Sequence, residues 1–179
     1  MLKIIEKINN NNDFNKIIHD IKNNKTVLQM SNYRQHANTT CYEHCLYVAY
    51  YTYLVCKKLN LDYISATRAA MLHDLFLYDW RQRLNGRKGL HAFTHPHTAL
   101  KNASKLFKLN DIEKDVIVKH MWPVTPAFPL YIESFIVTFA DKYSAVKETL
   151  NGFEETKTYK QIFRYAYILL GVCGFRYFL

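Results

Sequence analysis

Apolar residues in this chain recur at intervals of three and four, and the run repeatedly meets a histidine or an aspartate. His44, Val48, Tyr51, Val55 and Leu59 follow one another four, three, four and four residues apart, the period of one helical face. Ala66, Ala69 and Ala70 lead on one side to Met71-Leu72-His73-Asp74-Leu75. Val116, Ile117, His120 and Met121 repeat the arrangement, and Ile132, Phe135, Ile136 and Phe139 run into Asp141. Only five glycines and four prolines interrupt the 179 residues, which favours long helices over a many-turned β architecture. The expected fold is all-α, a compact bundle of about six to eight helices.

A histidine or carboxylate on such a face is costly to bury without a partner. A satisfied core histidine is one answer and a metal ion is another. The metal answer gains from the series His44, His73-Asp74, His95, His120 and Asp141, each placed in or beside an apolar helical pattern. Imidazoles and carboxylates suit Fe, Mn, Co, Ni or Zn. Cys41, Cys45, Cys56 and Cys173 contain no CxxC pair, so a structural thiolate zinc site is disfavoured and a reduced, cytoplasmic setting is expected.

Turn and cap signals divide the chain. Asn9 to Asn12 break an amphipathic first turn, Thr40 and Glu43 read as a capping box, and Asp62 caps the helix that leads to His73. A basic loop over 81–89 contains Gly86 and Gly89 and suits a lid or a phosphate grip. Pro96 suits a first helical position, which places His95 at the cap and leaves His91 on the loop. Asn110 to Glu113 opens the next helix and Trp122-Pro123 closes it. The chain reads as one unit over 1–179, with a core of about 30–150, N-terminal helices over 1–24 and a C-terminal helix over 156–179 packed on that core. The apolar run from Tyr165 to Phe175 spans 11 residues, too short for a bilayer, and is expected to dock on the core or on a second copy in a homodimer.

The formal charge is +9, and seven cations with no acid lie between Asp79 and Asp111. Such a field attracts phosphates, although a solvated basic face has the same composition. No zinc finger, RNA-binding aromatic signature or Gly-rich nucleic-acid loop accompanies it, so nucleic acid is not the expected partner.

The ordered series resembles the HD-domain superfamily of metal-dependent phosphohydrolases over roughly residues 30 to 150. Its minimal pattern is matched by His44, His73-Asp74 and Asp141, and the two histidines added in two-metal members are matched by His95 and His120. The chain is similar to small bacterial HD hydrolases, including the group that cleaves diadenosine tetraphosphate symmetrically, and to uncharacterised clostridial HD proteins. The resemblance implies a phosphoester or phosphoanhydride hydrolase acting on a small phosphorylated substrate, expected to be a nucleotide, with a pair of divalent ions. Asp74 would be shared between the ions beside His73, with a hydroxide held between them, and Arg81, His91 and Lys119 would contact the substrate. His19, His36 and His97 are expected outside the ligand set. Leu77 stands where many members carry a lysine, and no Gly-Tyr-Pro of the cyclic di-GMP phosphodiesterases follows. A di-iron oxygenase of the same fold and a non-catalytic metal- or nucleotide-binding regulatory module are the alternatives.

Overall fold

Short polar side chains set the helix boundaries. In the computed structural model, which describes residues 2–82 and 89–155, Asn11 accepts from the Phe14 N–H at 3.0 Å and Asn24 from the Thr26 N–H at 2.9 Å. Thr40 and Glu43 form the expected capping box, as do Asn110 and Glu113, and Asp62 accepts from the Ser65 N–H at 3.0 Å. Each such cap contributes about 1 kcal/mol. The resulting helices are α1 (Leu2–Asn9), α2 (Asn12–Ile17), α3 (His19–Lys22), α4 (Lys25–Leu28), α5 (Cys41–Lys58), α6 (Tyr63–Leu72), α7 (His91–Leu106), α8 (Asp111–Lys119) and α9 (Ile132–Glu155), with a 3-10 turn at Gln29–Asn32. No strand forms among the described residues, where Arg34 and Thr40 make an isolated bridge. The fold is all-α, as expected. The expected C-terminal helix and the 83–88 part of the basic loop lie outside the described residues.

Helix α5 packs against α6 and α9, and α8 packs against α6, α7 and α9. Ala66, Ala69 and Ala70 are fully buried on α6, and side chains this small let helix axes approach closely. Phe14, Ile18, Ile21, Val27 and Met30 belong to the same buried cluster as the apolar residues of α5 and α6. Arg68 of α6 ties the N-terminal region down, meeting both oxygens of Asp20 at 2.7 and 2.9 Å and Glu113 at 3.2 Å. No helix among the described residues is long and apolar enough to cross a membrane.

Three expectations are corrected. Helix α7 begins at His91, so His91 is helical and Pro96 lies inside the helix. Leu90 precedes it with no side-chain cap, which removes the signal that would have placed the start earlier than the proline. On α5 the expected stripe is buried at His44 and Val48, but Val55 and Leu59 are exposed and Tyr53 and Cys56 are buried instead. Helix α9 is rotated relative to the expected apolar face: Ile132 and Phe139 are exposed, whereas Glu133, Ser134, Val137, Thr138, Ser144 and Glu148 are buried. Polar partners explain that rotation. Glu133 accepts from the Asp62 N–H at 3.1 Å, Ser134 donates to Asp115 at 2.7 Å, and Asp141 and Glu148 both face His44. Turning α9 the other way would strand Asp115 and His44 without these partners, at a cost of about 1–3 kcal/mol for each buried polar group.

Candidate metal centre

His73 and His120 follow directly on the last residues of α6 and α8, where helix carbonyls lack intrahelical donors. Each ring satisfies one of them: His73 Nδ1 lies 2.7 Å from the Ala70 carbonyl oxygen and His120 Nδ1 2.9 Å from that of Ile117. His95, one turn into α7, places Nδ1 2.7 Å from the His91 carbonyl oxygen. A carbonyl can only accept, so these three Nδ1 atoms carry the protons and the Nε2 lone pairs are left pointing inward.

The inward atoms converge on two carboxylates. Asp74 Oδ1 lies 3.1 Å from His95 Nε2 and 3.6 Å from His120 Nε2, and Asp74 Oδ2 lies 3.5 Å from His73 Nε2. Asp141 Oδ1 lies 3.0 Å from His44 Nε2 and 3.7 Å from His73 Nε2. Two groups of donor atoms overlap at His73, namely His44, His73 and Asp141, and His73, Asp74 and His120, while a third group joins Cys41 and Cys45 to Asp74. All six sequence-selected residues are thus brought together from α5, α6 and its end, α7, α8 and its end, and α9. Behind them, Glu148 takes His44 Nδ1 at 3.0 and 3.1 Å, and Gln35 Nε2 donates to Asp74 Oδ2 at 2.6 Å.

This donor set fits a divalent metal. His73 Nε2 and Asp74 Oδ1 are buried without a hydrogen-bond partner. His95 Nε2 and His120 Nε2 face one another at 2.8 Å while both Nδ1 atoms are committed to carbonyls. Two lone pairs at that distance repel unless a cation or a proton lies between them. The electrostatics agree: although burial disfavours the charged ring, Asp141 and Glu148 hold His44 well above the usual imidazole range, and Cys45, Asp74 and Asp141 do the same for His73. Burial and the neighbouring His73 and His95 depress His120 to about 3. Despite burial, the imidazoles hold Asp74 and Asp141 well below the carboxylate range. Buried carboxylates that raise the proton affinity of His44 and His73 favour a metal cation for the same reason, and metal and protons compete for those rings. Nitrogen and oxygen donors with carboxylate and carbonyl groups behind the rings are the arrangement that orients metal ligands.

The thiols are a poorer set. Cys41 Sγ donates to the Asp74 carbonyl at 3.3 Å and Cys45 Sγ lies 3.6 Å from His73 Nδ1. Burial pushes both thiols up, away from the thiolate a metal requires.

A cavity of about 250 Å³ opens onto the cluster, lined by His36, Trp80, His91, Met121, Val124 and Lys142 among others. His91 therefore lines the cavity, its ring stacked on His95 with centroids 4.3 Å apart. Arg81 does not line it; the guanidinium donates to the Arg34 carbonyl at 3.2 Å and lies 3.6 Å from Asp79. Lys119 is also absent from the wall and pairs with Asp115 at 2.5 Å, whereas Lys142 is present, donating to the His120 carbonyl at 3.1 Å. His19 and His97 are exposed. His36, expected outside the ligand set, belongs to none of the donor groups but lines the cavity, its ring edge-on to His44 with centroids 5.0 Å apart.

Sequence reasoning missed Gln35, Lys142 and Glu148. Glu148 left a signal, because it follows Asp141 by seven residues, two turns along the same helical face. Gln35 left none, since its position depends on the loop closed by the Arg34–Thr40 bridge.

The family model described as HD domain matches residues 41–146. No curated protein and no solved structure gave a match. The match covers more than half of the chain and holds every one of the six converging residues; the chain belongs to the HD-domain family, a family of, in general, metal-dependent phosphohydrolases.

Proposed function

We propose that the protein hydrolyses a phosphoester or phosphoanhydride bond of a small phosphorylated substrate, a nucleotide being the favoured class, with two divalent ions held by His44, His73, Asp74, His95, His120 and Asp141. The observation that carries this reading is the pair of overlapping donor groups, with ring nitrogens turned inward by carbonyls and by Glu148. When bound, such ions lower the pKa of water and stabilise charge growing on a phosphoryl group.

The chain's own residues divide the remaining work. Asp74 faces both sides of the cluster, Oδ1 toward His95 and His120 and Oδ2 toward His73, so it is the carboxylate that would help hold both ions. Gln35 holds that carboxylate in orientation. Lys142 brings an ammonium to the cavity wall beside Asp141, where it can hold a phosphate oxygen by a charge-assisted hydrogen bond. His91 offers a second polar contact, and Trp80, Met121 and Val124 supply an apolar wall suited to the organic part of the substrate. Arg81, outside the cavity, is assigned to any portion of the substrate that extends beyond it. The buried free thiols Cys41, Cys45 and Cys56 suit a reducing cytoplasm.

The test is bound metal per chain together with phosphate release across nucleotides and simple phosphate esters, on protein reconstituted with Mn²⁺, Co²⁺ or Fe²⁺. Phosphate release that disappears with the metal supports the reading. Oxygen consumption without phosphate release would transfer it to the oxygenase alternative, and metal occupancy with neither activity would transfer it to a regulatory module.

A further inference from the structure

Helices α1, α5 and α9 enclose a second cavity, which shares no lining residue with the one that opens onto the metal centre. Its volume is about 310 Å³, at the lower end of the range of small-molecule sites. Residues three and four apart supply its walls, Tyr47, Tyr51 and Leu54 from α5 and Tyr143 and Lys147 from α9, and Lys7 joins them from α1. Tyr51 and Tyr143 meet edge to face with ring centroids 5.2 Å apart. The Lys147 ammonium lies 5.4 and 5.7 Å from those two centroids and donates to the Tyr51 hydroxyl at 2.9 Å. That bond occupies one of its three N–H groups, so the charge is held at the cavity with donors to spare.

Ser144 supplies an independent observation. It lines the same cavity and is 1 % exposed, yet its hydroxyl has no hydrogen-bond partner among the described residues. On the same helix Thr149 donates to the Ala145 carbonyl at 2.7 Å, the local bond open to a helical hydroxyl, and Ser144 makes no such bond. A buried hydroxyl without a partner is disfavoured, and the cavity is the space from which a ligand can supply one. The charges set the sign of that ligand. Glu148 also lines the cavity, but both of its oxygens face His44 Nδ1, at 3.0 and 3.1 Å, so its charge is matched and Lys7 and Lys147 leave a positive balance. We propose that this cavity binds a small aromatic or heteroaromatic anion, its ring against Tyr51 and Tyr143, its charged group on Lys147 and Lys7, and a polar atom on the Ser144 hydroxyl. Tyrosine walls favour a ring over an aliphatic chain, because edge and face contacts between rings add to the burial of apolar area. The ammonium groups favour an anionic acceptor, since a hydrogen bond between two charged groups is the stronger kind.

The test is isothermal titration of the full chain, kept free of metal with a chelator so that the outcome is independent of hydrolysis. The probes are AMP, 4-nitrophenyl phosphate and 2-naphthoate, each a ring carrying an anionic group. At least one should bind at a single site per chain, and adenosine and inorganic phosphate, which lack the charge or the ring, should bind at least roughly ten-fold more weakly. Lys147→Met keeps the apolar stem and loses the ammonium, and should weaken binding by roughly ten-fold or more. Leu54→Trp places a larger side chain at an exposed position of the wall and should abolish binding by filling the space. Lys142→Met, in the cavity over the metal centre, should leave it unchanged. Circular dichroism of each variant confirms that the helices are retained. The proposal is overturned if none of the three probes binds, or if adenosine or inorganic phosphate binds as tightly as they do. Binding that survives Leu54→Trp and is lost in Lys142→Met would place the ligand in the other cavity, and overturns it equally.

Discussion

At the scale of single residues, the centre depends on which nitrogen of each histidine is committed elsewhere. Glu148 fixes His44 by accepting from Nδ1 with either oxygen, so Glu148→Ala should weaken Mn²⁺ or Co²⁺ binding by about 10- to 100-fold. Glu148→Gln, with an oxygen still able to accept that proton, should weaken it less; equal losses in the two variants, measured by metal titration, would mean that Glu148 does not orient the ring. Asp74→Ala should remove both metal and hydrolysis, because Asp74 turns one oxygen toward His95 and His120 and the other toward His73. Lys142→Ala should raise KM with the metal retained, a loss on the order of 1.5–3 kcal/mol for one hydrogen bond to a charged group, whereas Lys119→Ala should leave KM unchanged because Lys119 is committed to Asp115. Steady-state kinetics beside metal analysis separate the two lysines.

At the scale of helices, the rotation of α9 rests on buried polar contacts, and Asp115 of α8 is the one whose titration can be followed away from the centre. Burial raises its pKa, but hydrogen bonds from Lys119, Ser134 and the Leu130 N–H outweigh this and the carboxyl ends below its ordinary value. A depressed folded pKa contributes stability that is present above the unfolded value, near 3.9, and is lost as pH falls through the folded one. Asp115→Asn should therefore be less stable than wild type at neutral pH and should lose less stability on acidification below about pH 4. Urea midpoints at several pH values check both signs. The far end of α9 meets the loop that carries Gln35 and His36: a Cβ on Gly152 would lie 2.3 Å from that of Ala37, and Ala37 itself has φ of 45°. Gly152→Ala should thus displace the loop and destabilise the fold by about 1–3 kcal/mol, read as a lowered urea midpoint.

For the whole molecule, the buried centre joins α5, α6, α7, α8 and α9, so a metal that binds there stabilises all of their contacts together. An ion at a hundred times its dissociation constant adds about 2.7 kcal/mol, and in a chain of this size each kcal/mol moves the thermal midpoint by roughly 2–4 °C. Chelation should lower the midpoint by about 5–10 °C, and Mn²⁺ or Co²⁺ should restore it in wild type but not in Asp74→Ala. An unchanged midpoint after verified metal removal would show that the ligands are organised by protein contacts alone.

Much of this was legible from the order of residues. Helical period, capping side chains and the shortage of glycine and proline specify an all-α chain through local interactions alone, and the spaced series from His44 to Asp141 marks the residues that converge in the core because a buried histidine or acid requires a partner. What the order of residues could not decide was orientation. Whether α9 buries its large apolar residues or its polar ones depends on Asp62, Asp115 and His44 waiting on other helices, contacts that join residues far apart in sequence. The same holds for Gln35, carried to Asp74 by a folded-back loop, and for the lysines, where Lys142 rather than Lys119 reaches the cavity because Asp115 holds Lys119. Local period supplies the faces of a helix, and only the sum of long-range packing and hydrogen bonding selects which face turns inward.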